Sequence, residues 1–259
     1  MTKTVQRANA PLVVSTLDRT TLMRLAATEY ELCSQVLSAL HVGDWARPTD
    51  CPDWDIRALA SHMLGMAELA ASVPVGFRQL RAAKRRGGVF IDSLTAVQVD
   101  ERRSMTPAEI VARFGAIGPR AARARRRTPG FVRRRAMAPP QTVGGIDEIW
   151  SLGYLIDTIL TRDPWMHRVD LCRATGAEAV VTADHDGVLV ADVVTEWAAR
   201  HGQPCEVRLT GAAGGSWSFG DAGHDTQAVE SIELDAIEFC RVLSGRVAKS
   251  GLFAVQVPF

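Results

Sequence analysis

The chain has 259 residues, 47% of them hydrophobic, and a formal net charge of +1, the profile of an ordinary soluble protein with a substantial core and room for two modest domains. Its five cysteines, Cys33, Cys51, Cys172, Cys205 and Cys240, are odd in number, widely spread and form no C-x-x-C pair. This argues against a disulfide framework and a thiolate zinc site and makes a reduced cytoplasm the expected compartment.

A flexible lead is expected up to Ser15. It holds only the short apolar run Ala10 to Val14, with no basic start, and the chain nowhere offers the roughly 18 consecutive apolar residues of a membrane span, so neither export nor membrane insertion is expected. Leu22, Leu25, Leu32, Val36 and Leu40 recur at helical spacing and predict an amphipathic helix from about Leu17 to Leu40. A connection over His41–Pro52 follows. Asp53 is the expected N-cap of a second helix, whose stripe Ile56, Leu59, Met63, Met66 and Ala70 places His62 beside the buried seam, with Pro74 at or beyond its end.

A short helical stretch is expected around Val89–Arg103. Thr106-Pro107-Ala108-Glu109 then reads as a capping box with proline at the first helical position. The helix it opens carries Ile110, Phe114 and Ile117, weakens at Gly118-Pro119, and gives way to a long mobile loop marked by Pro129-Gly130 and Pro139-Pro140. Ile146 to Leu160 is expected to be helical again. Four amphipathic helices of this kind make an antiparallel bundle, whose interior is where ligands from facing helices converge on metals.

Beyond Gly176 the pattern changes. A helix over Asp184–Arg200, strands at Cys205–Leu209 and Ser216–Phe219 joined by Gly211–Gly215, a third strand near Ser231–Leu234, a helix at Ala236–Leu243 and an extended tail form a small α+β domain. GAAGG is a hairpin turn and no phosphate cradle, because no G-x-G-x-x-G or G-K-[ST] accompanies it. The expected domains are 15–176 and 177–259.

The net charge hides an asymmetry. Between Arg78 and Arg135 stand sixteen Lys/Arg against four acids, so this segment carries about +12 and the remainder about −11. A solvated basic face is the expected role. Only Phe90, Phe114 and Phe131 could stack on bases, so nucleic acid is a poor candidate partner.

The segment that carries chemistry is TRDPWMHRVDLCRATG, residues 161–176. Asp163 and His167 are four apart, so on a helix they project from one face at neighbouring turns, which is ligand spacing. A metal doing chemistry usually takes three protein ligands, and His62 on the second helix is the candidate third. Two alternatives stay open at this level: His62 as an ordinary hydrogen-bonded core histidine, and Asp163 as the N-cap of a helix beginning at Pro164.

Together, WARPTDCPDWDIRALASHMLG, RDPWMHRVDLCRATG and DAIEFCRVLSGR resemble the mycothiol-dependent maleylpyruvate isomerase family over nearly the whole chain. The resemblance implies a mainly α fold: a DinB-like antiparallel four-helix bundle followed by a small α+β, sterol-carrier-protein-like C-terminal domain. It implies a divalent metal, zinc or alternatively nickel, on His62, Asp163 and His167, with glutamate standing in the family's isomerases where this chain has Asp163. It also implies mycothiol as thiol cosubstrate. The small-molecule partner is then an unsaturated acid undergoing cis–trans isomerisation, or an electrophile accepting the thiol. Arg246 matches a C-terminal arginine that the family is thought to use near the active site to pair with a substrate carboxylate; a surface arginine is the alternative. Asp170 is either an acceptor orienting a ligand histidine or a local partner of Arg173. A non-catalytic metal-binding or regulatory protein of the same fold is the competing functional class.

Overall fold

The computed structural model describes residues 12–220, 230–248 and 250–259. Helix α1 (Arg19–Ala39) starts where the Asp18 carboxylate accepts the Thr20 and Thr21 N–H groups. Helix α2 (Ile56–Ala71) is capped by Asp55 rather than Asp53, which instead takes a positive φ of 65° in the turn before it. Helices α3 (Val73–Arg86) and α4 (Phe90–Asp100) pack on α2 as a hairpin. Pro74 therefore opens a helix where the sequence suggested an ending. The capping box of Thr106 and Glu109 starts α5 (Pro107–Arg127), which runs unbroken through Gly118 and Pro119.

The segment expected to be a mobile loop instead holds the short helix α6 (Gly130–Arg133) and an edge of sheet. Strand β1 (Leu12–Val13) pairs in parallel with β3 (Ile146–Trp150), and β2 (Gln141–Val143) pairs with β3 in antiparallel. Residues 12–13 thus belong to a sheet, while the rest of the expected N-terminal lead, residues 1–11, lies outside the described residues. The helix expected from Ile146 begins only after Ser151, whose hydroxyl caps α7 (Leu152–Tyr154). A π-helical turn, Leu155–Ile159, continues it directly into α8 (Leu160–Thr175).

Helix α5 packs against both α1 and α2, and α8 closes the bundle against the same two. Leu37, Ile56, Leu59, Phe114 and Leu171 form its buried interior. Trp165, Met166 and Val169 of α8 instead join a second core with α9 (Val188–His201), which ends at left-handed Gly202. That core includes strands β4 (Cys205–Thr210), β5 (Gly215–Phe219) and β6 (Glu230–Asp235), in the order β5-β4-β6 with β4 and β6 parallel. Helix α10 (Ala236–Leu243), capped by Asp235, covers them. Helix α8 is therefore the wall shared by bundle and C-terminal unit, and buried ion pairs pin it there: Arg168 to Glu29 and Asp186, and Arg162 to Asp192 and Glu196.

Most of the basic segment is solvent-exposed, as expected, with exceptions. Arg102, Arg125 and Arg133 are buried, and Arg78, Arg86, Arg103 and Arg113 are paired with Glu101, Asp100, Asp100 and Glu68. No described helix is long and apolar enough to cross a membrane.

Candidate metal centre

The local backbone of α8 explains why Asp163 and His167 face inward. Pro164 has no N–H for the Leu160 carbonyl, and the π turn that carries the Ile156 and Asp157 carbonyls departs from regular α-helical geometry just before it. The buried Arg125 guanidinium donates to all three, at 2.8, 2.7 and 3.2 Å. Arg125 thus holds the irregular entry to α8 from the neighbouring helix.

Asp163 sits within the first turn of a helix that arrives already helical, with Ile159 before it in αR conformation and no side-chain cap. This removes the capping reading: the Asp163 carboxylate is not engaged with backbone N–H groups. Its Oδ1 lies 3.5 Å from His62 Nε2 and 3.4 Å from His167 Nε2, and its Oδ2 is buried with no hydrogen-bond partner among the described residues. The three side chains offer ligand atoms all within 4.8 Å of one another. His62 is buried and hydrogen-bonded, and it shares this cluster with Asp163 and His167.

Each imidazole is held from behind. His62 Nδ1 meets Gln98 Oε1 at 2.9 Å, and His167 Nδ1 meets Asp170 Oδ2 at 3.0 Å. Asp170 is fully buried and also receives Arg246 through two 2.6 Å contacts, Nε to Oδ1 and Nη2 to Oδ2. Of the two roles open for Asp170, orientation of the histidine is the one present; Arg173 pairs with Asp50 and Glu238 instead. Arg246 is mostly buried, borders the cavity and turns Nε and Nη2 to Asp170. Cys51 completes this corner, with Sγ 3.5 Å from Asp170 Oδ2. The Trp54 ring lies against both imidazoles, 5.1 Å from His62 and 6.2 Å from His167.

The carboxylate and the imidazoles are electrostatically coupled. Burial pushes the Asp163 carboxyl up, but His167 and then His62 outweigh it and hold the group well below the usual carboxylate range. Burial likewise opposes a charged His167, and Asp163 overcomes it, so His167 stays protonated well above its ordinary pKa. The donor set of two imidazoles and one carboxylate suits zinc, with a position left for a further ligand. A cavity of about 1740 Å³ reaches the trio, bounded by Trp54, Met66 and Phe77 on the bundle side and by Arg246 and Phe259 of the C-terminal unit.

Spacing in the sequence pointed to His62, Asp163 and His167. It gave no pointer to Gln98 or Trp54, whose proximity comes from packing of α4 and of the turn before α2.

A model of the mycothiol maleylpyruvate isomerase N-terminal domain matches residues 26–172, more than half of the chain. No curated protein matches it by sequence. Among solved structures, the crystal structure of the mycothiol-dependent maleylpyruvate isomerase aligns with a TM-score of 0.57 and 15% identity, covering 89% of this chain and 90% of that one. A histidine-to-alanine mutant of that enzyme aligns over the same shares with a TM-score of 0.57 and 14% identity. The shared architecture is the DinB-like helical bundle with its small C-terminal unit.

Proposed function

We propose that this chain, which belongs to the mycothiol maleylpyruvate isomerase family, holds a divalent metal, zinc by preference, on His62, Asp163 and His167. There it activates a mycothiol-type thiol for cis–trans isomerisation of an unsaturated acid or for transfer to an electrophile. The observation that carries the reading is the convergence of two Nε2 atoms on one Asp163 oxygen while the other oxygen is buried and unpartnered. Buried acceptors of this kind are costly unless a proton or cation lies among them.

A metal there supplies positive charge that lowers the pKa of a bound thiol, making the thiolate the form present at neutral pH. The protein's own part is positional. Gln98 and Asp170 fix the two rings, Arg246 keeps Asp170 ionised and in place, and Trp54 covers the imidazoles on the cavity side. The cavity volume accommodates a sugar-sized thiol together with a small acid. Arg246, held by Asp170 through Nε and Nη2, acts through His167 as a positioning residue.

The test supplies metal-loaded protein with mycothiol and maleylpyruvate, and separately with mycothiol and an alkylating electrophile. Conversion of the cis acid with the thiol recovered supports the isomerase. Consumption of thiol in step with adduct supports the transferase. Absence of both reactions in a protein that carries its metal would contradict the proposal.

A further inference from the structure

We infer that His62 is locked as its Nδ1–H tautomer by a buried amide relay running from Gly65 through Gln79 and Gln98, which leaves Nε2, the nitrogen that faces the Asp163 corner, as the one able to bind a metal. The inference deepens the metal reading above and rests on it only for its consequence in metal affinity.

The direction of the relay is forced at its far end. The Gly65 backbone carbonyl can only accept, so the Gln79 group 3.3 Å from it is the amide nitrogen. Gln79 Oε1 then faces Gln98 and accepts its Nε2–H at 3.0 Å. The second Gln98 amide hydrogen points to Met66 Sδ at 3.1 Å. Gln98 Oε1 is left against His62 Nδ1 at 2.9 Å, and an amide oxygen has no hydrogen to give. Nδ1 must carry it. Amide and imidazole orientations are often ambiguous, but here one obligate acceptor decides all three.

Both glutamines are fully buried, so water offers no alternative partners. Gly65 is also what lets Gln98 come so near. A Cβ at that position would lie 2.6 Å from both Cβ and Cγ of Gln98, inside any tolerable contact. His167 is fixed in the same sense by a different device, a carboxylate held by Arg246. The two rings thus both turn Nε2 toward Asp163, one backed by a neutral amide and the other by an anion. Partners of this kind are typically worth 10–100-fold in metal affinity.

The experiment combines long-range ¹H–¹⁵N NMR of the histidines in metal-free full-length protein, at a pH of about 8, with zinc affinity from chelator competition. We expect the Nδ1–H pattern at His62 and its loss in Gln98→Leu. Zinc binding should fall roughly 10–100-fold in Gln98→Leu, less in Gln79→Leu, and recover in Gln98→Glu, which keeps an acceptor. Leu37→Ala, a cavity in the bundle core away from the relay, controls for destabilisation and should keep wild-type zinc affinity. An Nε2–H tautomer at His62 would overturn the relay, and so would unchanged zinc affinity in folded Gln98→Leu. If the wild-type chain takes up no zinc, the metal reading fails and the tautomer alone decides the relay.

Discussion

Replacing Arg246 with alanine separates two roles for that residue. In the structure its guanidinium makes both 2.6 Å contacts to a fully buried Asp170 carboxylate, whose remaining partners are His167 Nδ1 at 3.0 Å and the weak donor Cys51. Burial would raise the Asp170 carboxyl, and Arg246, ahead of His167, holds it below the usual range. Truncation leaves that charge buried with one strong partner. Breaking such a pair costs about 3–5 kcal/mol, and we take about 3 because Arg246 borders the cavity and water can enter. For a chain of this length that lowers Tm by roughly 6–12 °C. The orphaned carboxylate also biases His167 toward its charged form, which competes with a metal, so zinc affinity should drop about tenfold or more. Arg246→Lys should restore part of the stability but not the two-point contact. The assays are thermal melts with and without zinc, chelator competition, and a comparison of kcat with KM. If Arg246→Ala keeps wild-type Tm and zinc affinity and raises KM alone, Arg246 is a substrate receptor and this reasoning is wrong.

Two further outcomes follow from the same geometry. Asp163→Glu should change zinc affinity modestly, whereas Asp163→Asn, which removes the charge between the imidazoles, should weaken it strongly; equal affinities in chelator competition would exclude the carboxylate as a ligand. For the metal-free chain, the lowered Asp163 contributes stability present above about pH 3.9 and lost as pH falls, while the raised His167 contributes stability present below about pH 6.5 and lost as pH rises through its folded value. Zinc must displace the His167 proton, so the Tm gain on adding zinc should grow from about pH 6 to 8; a gain that shrinks over that interval in melts would contradict the assignment.

Much of the site was legible because ligand spacing is local: Asp163 and His167 share a helix face whatever else the chain does. The Thr106 capping box and the Ala236–Leu243 helix were legible for the same reason. Misreadings came from contacts distant in sequence. Ile149, Trp150 and Gly153 fit a helical stripe, yet Ile146–Trp150 is extended because β1 and β2 flank it, with Leu12 opposite Ile149. Asp163-Pro164 looks like a helix start, and only Arg125 reaching across from α5 shows how the chain enters that turn already helical. A signal for Arg125 existed: it continues the stripe Ile110, Phe114, Gly118 and Ala121, all buried, so the arginine run was not uniformly outward. Gln98 gave none, since a glutamine on an amphipathic helix looks the same whether it meets water or a histidine.

The central claim is that His62, Asp163 and His167 form one metal centre, and elemental analysis of the purified full-length chain tests it most directly. The account predicts close to one divalent metal ion, zinc foremost, per wild-type chain. It predicts near-complete loss in His62→Ala and in His167→Ala, with both variants still giving the circular dichroism of a folded helical bundle. Full metal occupancy in both folded variants would contradict it.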